Sequence, residues 1–499
     1  MSEQLISHEQ AAGDMLAAAA YLAQRIKSSE GHADAMKSIV PRYVARGSVD
    51  LAAELANTIV DPYTRDRLLI QVAEKCSELG DEEYGLQLAD AIEDVGMQSQ
   101  ARERVAIRKA IAGDLEKAAR IAQEIIHPDY LYAEIAAALS KTGRDVESAE
   151  TIAKIELPVA RASALQAIAA WNLEAGNAEA ATAALDKAVQ SASEIEHNEE
   201  MVRTLGEIGN AFIDAGRKDR AIQTFQTSQE FAEALGGVHR DTFLSAIAIG
   251  FARAGDVDLA DAALDLVGDR TQIASGLLGF ARELWDTGDR DDAIEALEEA
   301  YSMAKSQKEN EVRDTRAANV LIGLIAAQYA LFDKPERAIE IAQENRDENE
   351  RINTLSRIAQ TCTLAGDENS AELAIRAIGD ESQRVFALFG IAQANATRED
   401  NVKAIAVLDQ AVDLAADLPQ PMTRASVFDS AAAHYLEYGS REKAVESVNK
   451  TLDAIALIRS DVGRSSALAS LSEIFAPELL EIGRSDREAI AALIRQSEW

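Results

Sequence analysis

A glycine followed by a polar or charged residue recurs along almost the whole sequence, at Gly13-Asp14, Gly47-Ser48, Gly80-Asp81, Gly113-Asp114, Gly143-Arg144, Gly176-Asn177, Gly216-Arg217, Gly255-Asp256, Gly288-Asp289, Gly366-Asp367 and Gly439-Ser440. Aligning the flanking residues adds turns at Asp333 and Glu399, where glycine is absent. Successive turns are then 34, 33, 33, 30, 33, 40, 39, 33, 45, 33, 33 and 40 residues apart. A period held for this long restricts the fold to an array, because a unit of this size cannot bury its apolar face alone and must stack on its neighbours. The 499 residues therefore count repeats, where length alone would suggest about three globular domains.

Each unit holds two apolar stretches of helical period on either side of the turn, and no alternating strand pattern competes with them. One helical hairpin per repeat follows. Glycine suits the left-handed position that ends the first helix, and a following Asp, Asn or Ser suits the N-cap of the second. Pro62, Pro128, Pro158 and Pro421 stand where a hairpin begins, a place where the missing amide hydrogen costs little.

Aligned on the turn, apolar or small residues occupy positions eleven, eight, seven and four before it and five, nine and twelve after it. Around Gly216 these are Leu205, Ile208, Gly209, Phe212, Ala221, Phe225 and Ser228; around Gly288 they are Leu277, Phe280, Ala281, Leu284, Ala293, Leu297 and Ala300. Small residues at the seven-before and five-after slots let two helices approach closely. Gly85 and Ser148 depart from the five-after slot, with Ala149 suggesting a shift of one residue, and Lys109 departs from the four-before slot.

Over residues 8 to 452 this code resembles the tetratricopeptide repeat family. The resemblance implies an all-α fold, a superhelical solenoid of about twelve tetratricopeptide-like helical hairpins. Residues 1–28 read as an N-terminal cap and half repeat, a lone second helix after Gly13; 29–463 read as the array and 464–499 as C-terminal capping helices, broken at Pro477. Met15–Ala23 is apolar, but acidic residues precede it where a signal peptide would be basic. The longer spacings add about seven residues, two helical turns. Lengthening both helices by one turn each would keep register, with an exposed loop as the alternative at Gly236-Gly237.

Aromatics make up only 5% of the chain, as close alanine and glycine packing requires, and the formal charge is −35. That charge opposes direct association with nucleic acid or an anionic membrane and favours a neutral or basic partner. The scarcity of lysine beside abundant carboxylates also resembles proteins from a salt-rich cytoplasm, and an ordinary acidic solvated surface is an equal reading. No run reaches membrane-spanning length. Cys76 and Cys362 both fall four before a turn, a packing slot, and imply neither a disulfide nor a metal; a reducing, cytoplasmic setting fits them. The six histidines, His127 among them, have no ligand-like spacing, and phosphate-loop, dinucleotide and nucleophile-elbow motifs are missing. No cofactor and no catalytic residue is expected.

Arginine recurs fifteen positions before the turn, at Arg65, Arg161, Arg240, Arg351, Arg384 and Arg424, with Arg464 equivalent near the C-terminus. A cation near a helix N-terminus needs an offsetting partner, and Asp61, Glu156, Asp347, Glu348 and Asp380 lie nearby. The alternative is a ladder that holds an acidic ligand. The first-helix face thirteen, ten, six and three or two before the turn does not pack, and in the tetratricopeptide family it lines the binding groove. Its most informative residues are Asn210, Arg253, Arg282 and Trp285, then Phe386 and Phe389, since arginine and aromatic side chains make good anchors. The family's carboxylate clamp uses lysines and asparagines on this face, and here only Asn210 matches. These features point to a non-enzymatic adaptor or scaffold for a protein or peptide, with a structural subunit of a homo-oligomer or larger assembly as the alternative.

Overall fold

The computed structural model describes residues 5–125, 128–310, 315–475, 480 and 483–496; Pro477 and His127 lie outside them. Among the described residues all regular structure is α-helical, in twenty-eight helices. Contacts divide the chain into two compact units, residues 1–109 with 359–499, and residues 110–358.

The turns are built as the glycine spacing implies. From Gly47 to Gly439 the turn glycines have φ between 70° and 99°, the left-handed region, and Asp333 and Glu399 adopt it at 55° and 63°. The next amide reaches back to the carbonyl four before the turn, for example Ser48 to Tyr43 at 2.9 Å and Asp367 to Cys362 at 2.8 Å. Lys334 to Tyr329 and Asp400 to Asn395 repeat that bond without glycine, both at 2.9 Å. Gly13 differs, since it is the last residue of helix His8–Gly13 and the extended Asp14 caps the next helix directly.

N-capping is selective. Asp81, Asp114, Asp256, Asp367 and Asp400 accept the amide three residues on, whereas Ser48, Asn177 and Ser440 make no side-chain cap bond. Residue type alone does not decide it, since the neutral Ser7, Ser28 and Ser460 do cap their helices; a carboxylate adds the interaction with the helix dipole to the hydrogen bond.

The extra residues of the long repeats all enter the second helix, contrary to the expected sharing between both. First helices stay near 17 residues, as in Pro62–Glu78, Pro158–Glu174 and Pro421–Glu437. Second helices have 9 residues in Val49–Asn57 and Glu82–Asp90, but 16 in Lys218–Glu233, Asn401–Ala416 and Arg441–Ala456. Helices Pro158–Glu174, Asn198–Asp214 and Gly237–Ala254 each pack on the first helices before and after them, which holds their length, while the far end of a second helix is free to grow by whole turns. Gly236-Gly237 forms only the short joint before helix Gly237–Ala254.

In the unit of residues 110–358 one core runs from Leu165 to Val267. Ala181, Ala221, Ala260 and Ala293, all five after their turns, are completely buried. Phe225 sits between two glycines: a Cβ on Gly209 or on Gly250 would each lie 2.5 Å from its ring. Ser148 belongs in the same slot without any shift, since its hydroxyl donates to the Ala136 carbonyl at 2.8 Å.

In the unit of residues 1–109 and 359–499, Gly85 explains itself similarly, because a Cβ there would lie 2.8 Å from the Ala73 carbonyl oxygen. Both carbonyls are seven before their turns, so where the seven-before carbonyl crowds this slot it takes glycine, and where the slot holds serine the hydroxyl bonds that carbonyl. Lys109 is buried and donates to Glu82 at 2.6 Å, an ion pair filling a slot that is usually apolar. Cys76 and Cys362 are buried, and burial pushes the Cys76 thiol up to about 11, the signature of an inert packing residue.

The same unit places the segments expected as caps against one another. Helix Met15–Ala23 is buried on every side, packed on Asp461–Leu471, Ser29–Ala45, His8–Gly13 and Arg484–Gln496. That is why its sequence has no polar face.

Candidate functional site

Four of the expected face residues stand on consecutive first helices of the unit 110–358, namely Asn198–Asp214, Gly237–Ala254 and Arg270–Thr287, followed by Thr315–Leu331. Asn210 donates to the Gly206 carbonyl at 3.1 Å, which aims its own oxygen outward to accept from Arg253 Nη1 at 2.5 Å. Arg253 also approaches Asp214 at 3.4 Å and Glu283 at 3.9 Å, so one guanidinium spans three helices. Burial raises the Glu283 carboxyl above the ordinary glutamate range; Arg253 opposes that shift and Asp286 adds to it.

Arg282 reaches the other way. Its Nε donates to Gln328 Oε1 at 2.6 Å, on the next first helix. Trp285 stacks on Phe332 with centroids 4.2 Å apart and planes 8° from parallel, and the Arg290 guanidinium lies 4.8 Å from the Trp285 centroid. Gln328 and Phe332 were missed from sequence; they stand five and one before the turn at Asp333, outside the face positions considered. The result is a strip in which each first helix grips the next: Asn210 with Arg253, Arg253 with Glu283, Arg282 with Gln328, and Trp285 with Phe332.

Phe386 and Phe389 belong to the other unit. Phe386 is 45% exposed, and Phe389 lies 5.6 Å from the His434 ring, which in turn stacks on Tyr438 at 5.6 Å. His434 Nδ1 is 3.2 Å from Glu437. An aromatic row therefore crosses helices Glu381–Thr397 and Pro421–Glu437.

The recurring arginines are structural, but with partners other than most of those expected. Arg351, Arg384 and Arg464 each donate to the carbonyl six residues back, on Asn345, Ile378 and Ile458, where the preceding second helix ends. Arg65 and Arg161 pair with Glu93 and Glu194 at 3.2 and 2.6 Å, and Arg240 bonds Asp241 and the Leu266 carbonyl. Of the five carboxylates anticipated, Glu348 alone forms a described bridge, to Arg351 at 3.7 Å. A guanidinium beside a helix C-terminus meets the negative end of that dipole, which offsets its unfavourable place at the start of its own helix. Arg424 Nε is buried without a hydrogen-bond partner.

His197 and His239, distant in sequence, line one cavity of about 820 Å³ together with Arg203 and Phe243. Among the described residues no group of three or more His, Cys, Asp or Glu side chains is arranged to hold a metal ion. None of their helices is long and apolar enough to cross a membrane.

Arg282, Glu283 and Trp285 fall within a family signature: the model described as tetratricopeptide repeat matches residues 274–307. Those residues are a tetratricopeptide repeat. The tetratricopeptide resemblance extends beyond them, because the same turn bonds and buried alanines recur along the array. Among curated proteins no sequence matches. Solved structures that are similar include Ton1535 from Thermococcus onnurineus NA1, at 18% identity over 65% of this chain and 98% of that one, with a TM-score of 0.25. The apo quorum sensor NprR from B. thuringiensis is 13% identical over 72% of this chain and 100% of its own, TM-score 0.25. The human IFIT1 dimer with PPP-AAAA is 14% identical over 76% and 94%, TM-score 0.26.

Proposed function

We propose that this tetratricopeptide-like array is a non-enzymatic adaptor or scaffold that holds a protein or peptide segment, neutral or basic, on its first-helix face. The observation that carries the reading is the interlocked strip from Asn210 to Phe332. Side chains on four consecutive first helices hold one another in place, so a partner laid across them meets a surface whose conformational cost has already been met. Trp285 and Arg253 are half-buried and offer an aromatic and a cationic anchor within an acidic protein.

The test is a pull-down from native lysate with the full chain and, in parallel, with Trp285→Ala and Arg253→Glu. A stoichiometric protein recovered by the parent and lost from both variants supports the reading. No partner under matched salt, or one retained equally by all three proteins, refutes it.

A further inference from the structure

In a stacked array the two terminal repeats have one neighbour each and fray first, independently of each other. The repeat that contains Asp461–Leu471 is arranged differently. By spacing this helix is a first helix, since Arg464, Leu468 and Leu471 keep the intervals that Arg384, Leu388 and Ile391 keep. By bonding it is one too, because Arg464 donates to the Ile458 carbonyl as Arg384 donates to that of Ile378.

Its second-helix seat is filled by Met15–Ala23, from the other end of the sequence. Ala18 is five after Gly13 and completely buried, as Ala52, Ala404 and Ala444 are after their own turns. The Ser465 hydroxyl donates to the Ala19 carbonyl at 2.6 Å, and Ser38 and Ser466 oxygens lie 3.2 Å apart. At the mouth of the junction Arg46 pairs with Asp14 at 2.9 Å and Arg42 with Glu473 at 2.8 Å, around a cavity of about 740 Å³. Helix Arg484–Gln496 packs on both His8–Gly13 and Met15–Ala23 and covers the join.

We infer that helices His8–Ala23 and Asp461–Leu471 form one clasp, a repeat assembled from both ends of the sequence that opens and closes as a single unit. The two helices share one buried surface, so neither loosens without uncovering the other. Every other hairpin is held by its own short turn, whereas these two helices are linked in sequence only through the whole array. The clasp is accordingly the one described repeat that separates without breaking a hairpin turn.

Native-state hydrogen exchange on the full chain tests this. Leu16 is completely buried in the clasp, and Leu16→Ala should raise exchange in 461–471 by about the same factor as in 15–23, on the order of tenfold or more. Helices 62–78 and 401–416 of the same unit should keep their parent rates. Ser38→Cys/Ser466→Cys, oxidised, ties 461–471 to Ser29–Ala45, which packs on both clasp helices; if the clasp moves as one it should slow exchange in 15–23 as well as in 461–471 relative to its reduced form, and this readout stands if Leu16→Ala proves too unstable to purify. Faster exchange in 15–23 with 461–471 unchanged would overturn the inference. So would a disulfide that protects only one of the two helices.

Discussion

Phe225 offers the sharpest test of the packing argument. Its ring is buried between Gly209 and Gly250, and a Cβ on either glycine would stand 2.5 Å from a ring carbon. Ordinary carbon contacts lie at ~3.5–4.0 Å, so the ring must yield by ~1 Å. It has nowhere to go, since each glycine blocks retreat from the other and Phe251 packs edge-on at 5.8 Å. Overpacking of this kind costs ~1–3 kcal/mol, and alanine's better helix propensity returns ~1 kcal/mol. Gly209→Ala and Gly250→Ala should therefore each destabilise by up to ~2 kcal/mol net, and the pair by more than the sum, because the ring then has no open side. In a Phe225→Leu background the same alanines should become neutral or stabilising. Urea unfolding followed by far-UV circular dichroism measures the effect, and hydrogen exchange locates it within 198–254. Gly209→Ala as stable as the parent, or equally costly with Leu at 225, would refute the reasoning.

Glu399→Gly and Asp333→Gly should each stabilise by ~0.5–1 kcal/mol, because both residues hold a left-handed φ that costs an L side chain ~1–2 kcal/mol and glycine little; a lower urea midpoint for either would count against the turn assignment. Asp429 is pushed up to about 6, mainly by burial, while its bond from Ser470 opposes the shift. A carboxyl raised in the folded state loses stability as pH climbs from its unfolded value near 4 through 6. Asp429→Asn should accordingly come close to the parent at pH 4 and exceed it by on the order of 3 kcal/mol at pH 7.5; a gap that does not change with pH would contradict this. Arg384→Met keeps the apolar stem but removes the bond to Ile378, and should speed amide exchange at the end of helix 368–376 several-fold, with ~1 kcal/mol lost. Unchanged exchange there would remove the arginine row from the list of stabilising features.

The hairpin array was legible because its cause is local. A left-handed turn residue and two helical periods repeat within each unit, and register alone located Asp333 and Glu399 without glycine. Which helix absorbs seven extra residues was not legible, since the spacing between turns records only a sum. The face residues followed from helical register, yet their partners did not: that Arg282 meets Gln328 depends on how successive first helices stack. The junction of 15–23 with 461–471 was also beyond local reading. The lone second helix and its uniform apolarity were visible, but nothing in a window of that size says that its partner lies more than 400 residues away.

That separation sets a clock on biosynthesis. Met15–Ala23 leaves the ribosome some 440 residues before its seat on 461–471. At ~5–20 residues per second the gap is ~20–90 s. During that interval the most apolar described helix has only its near neighbours His8–Gly13 and Ser29–Ala45 to cover it, so the face meant for 461–471 stands open as an aggregation hazard, and a natural chaperone site, until that partner is made.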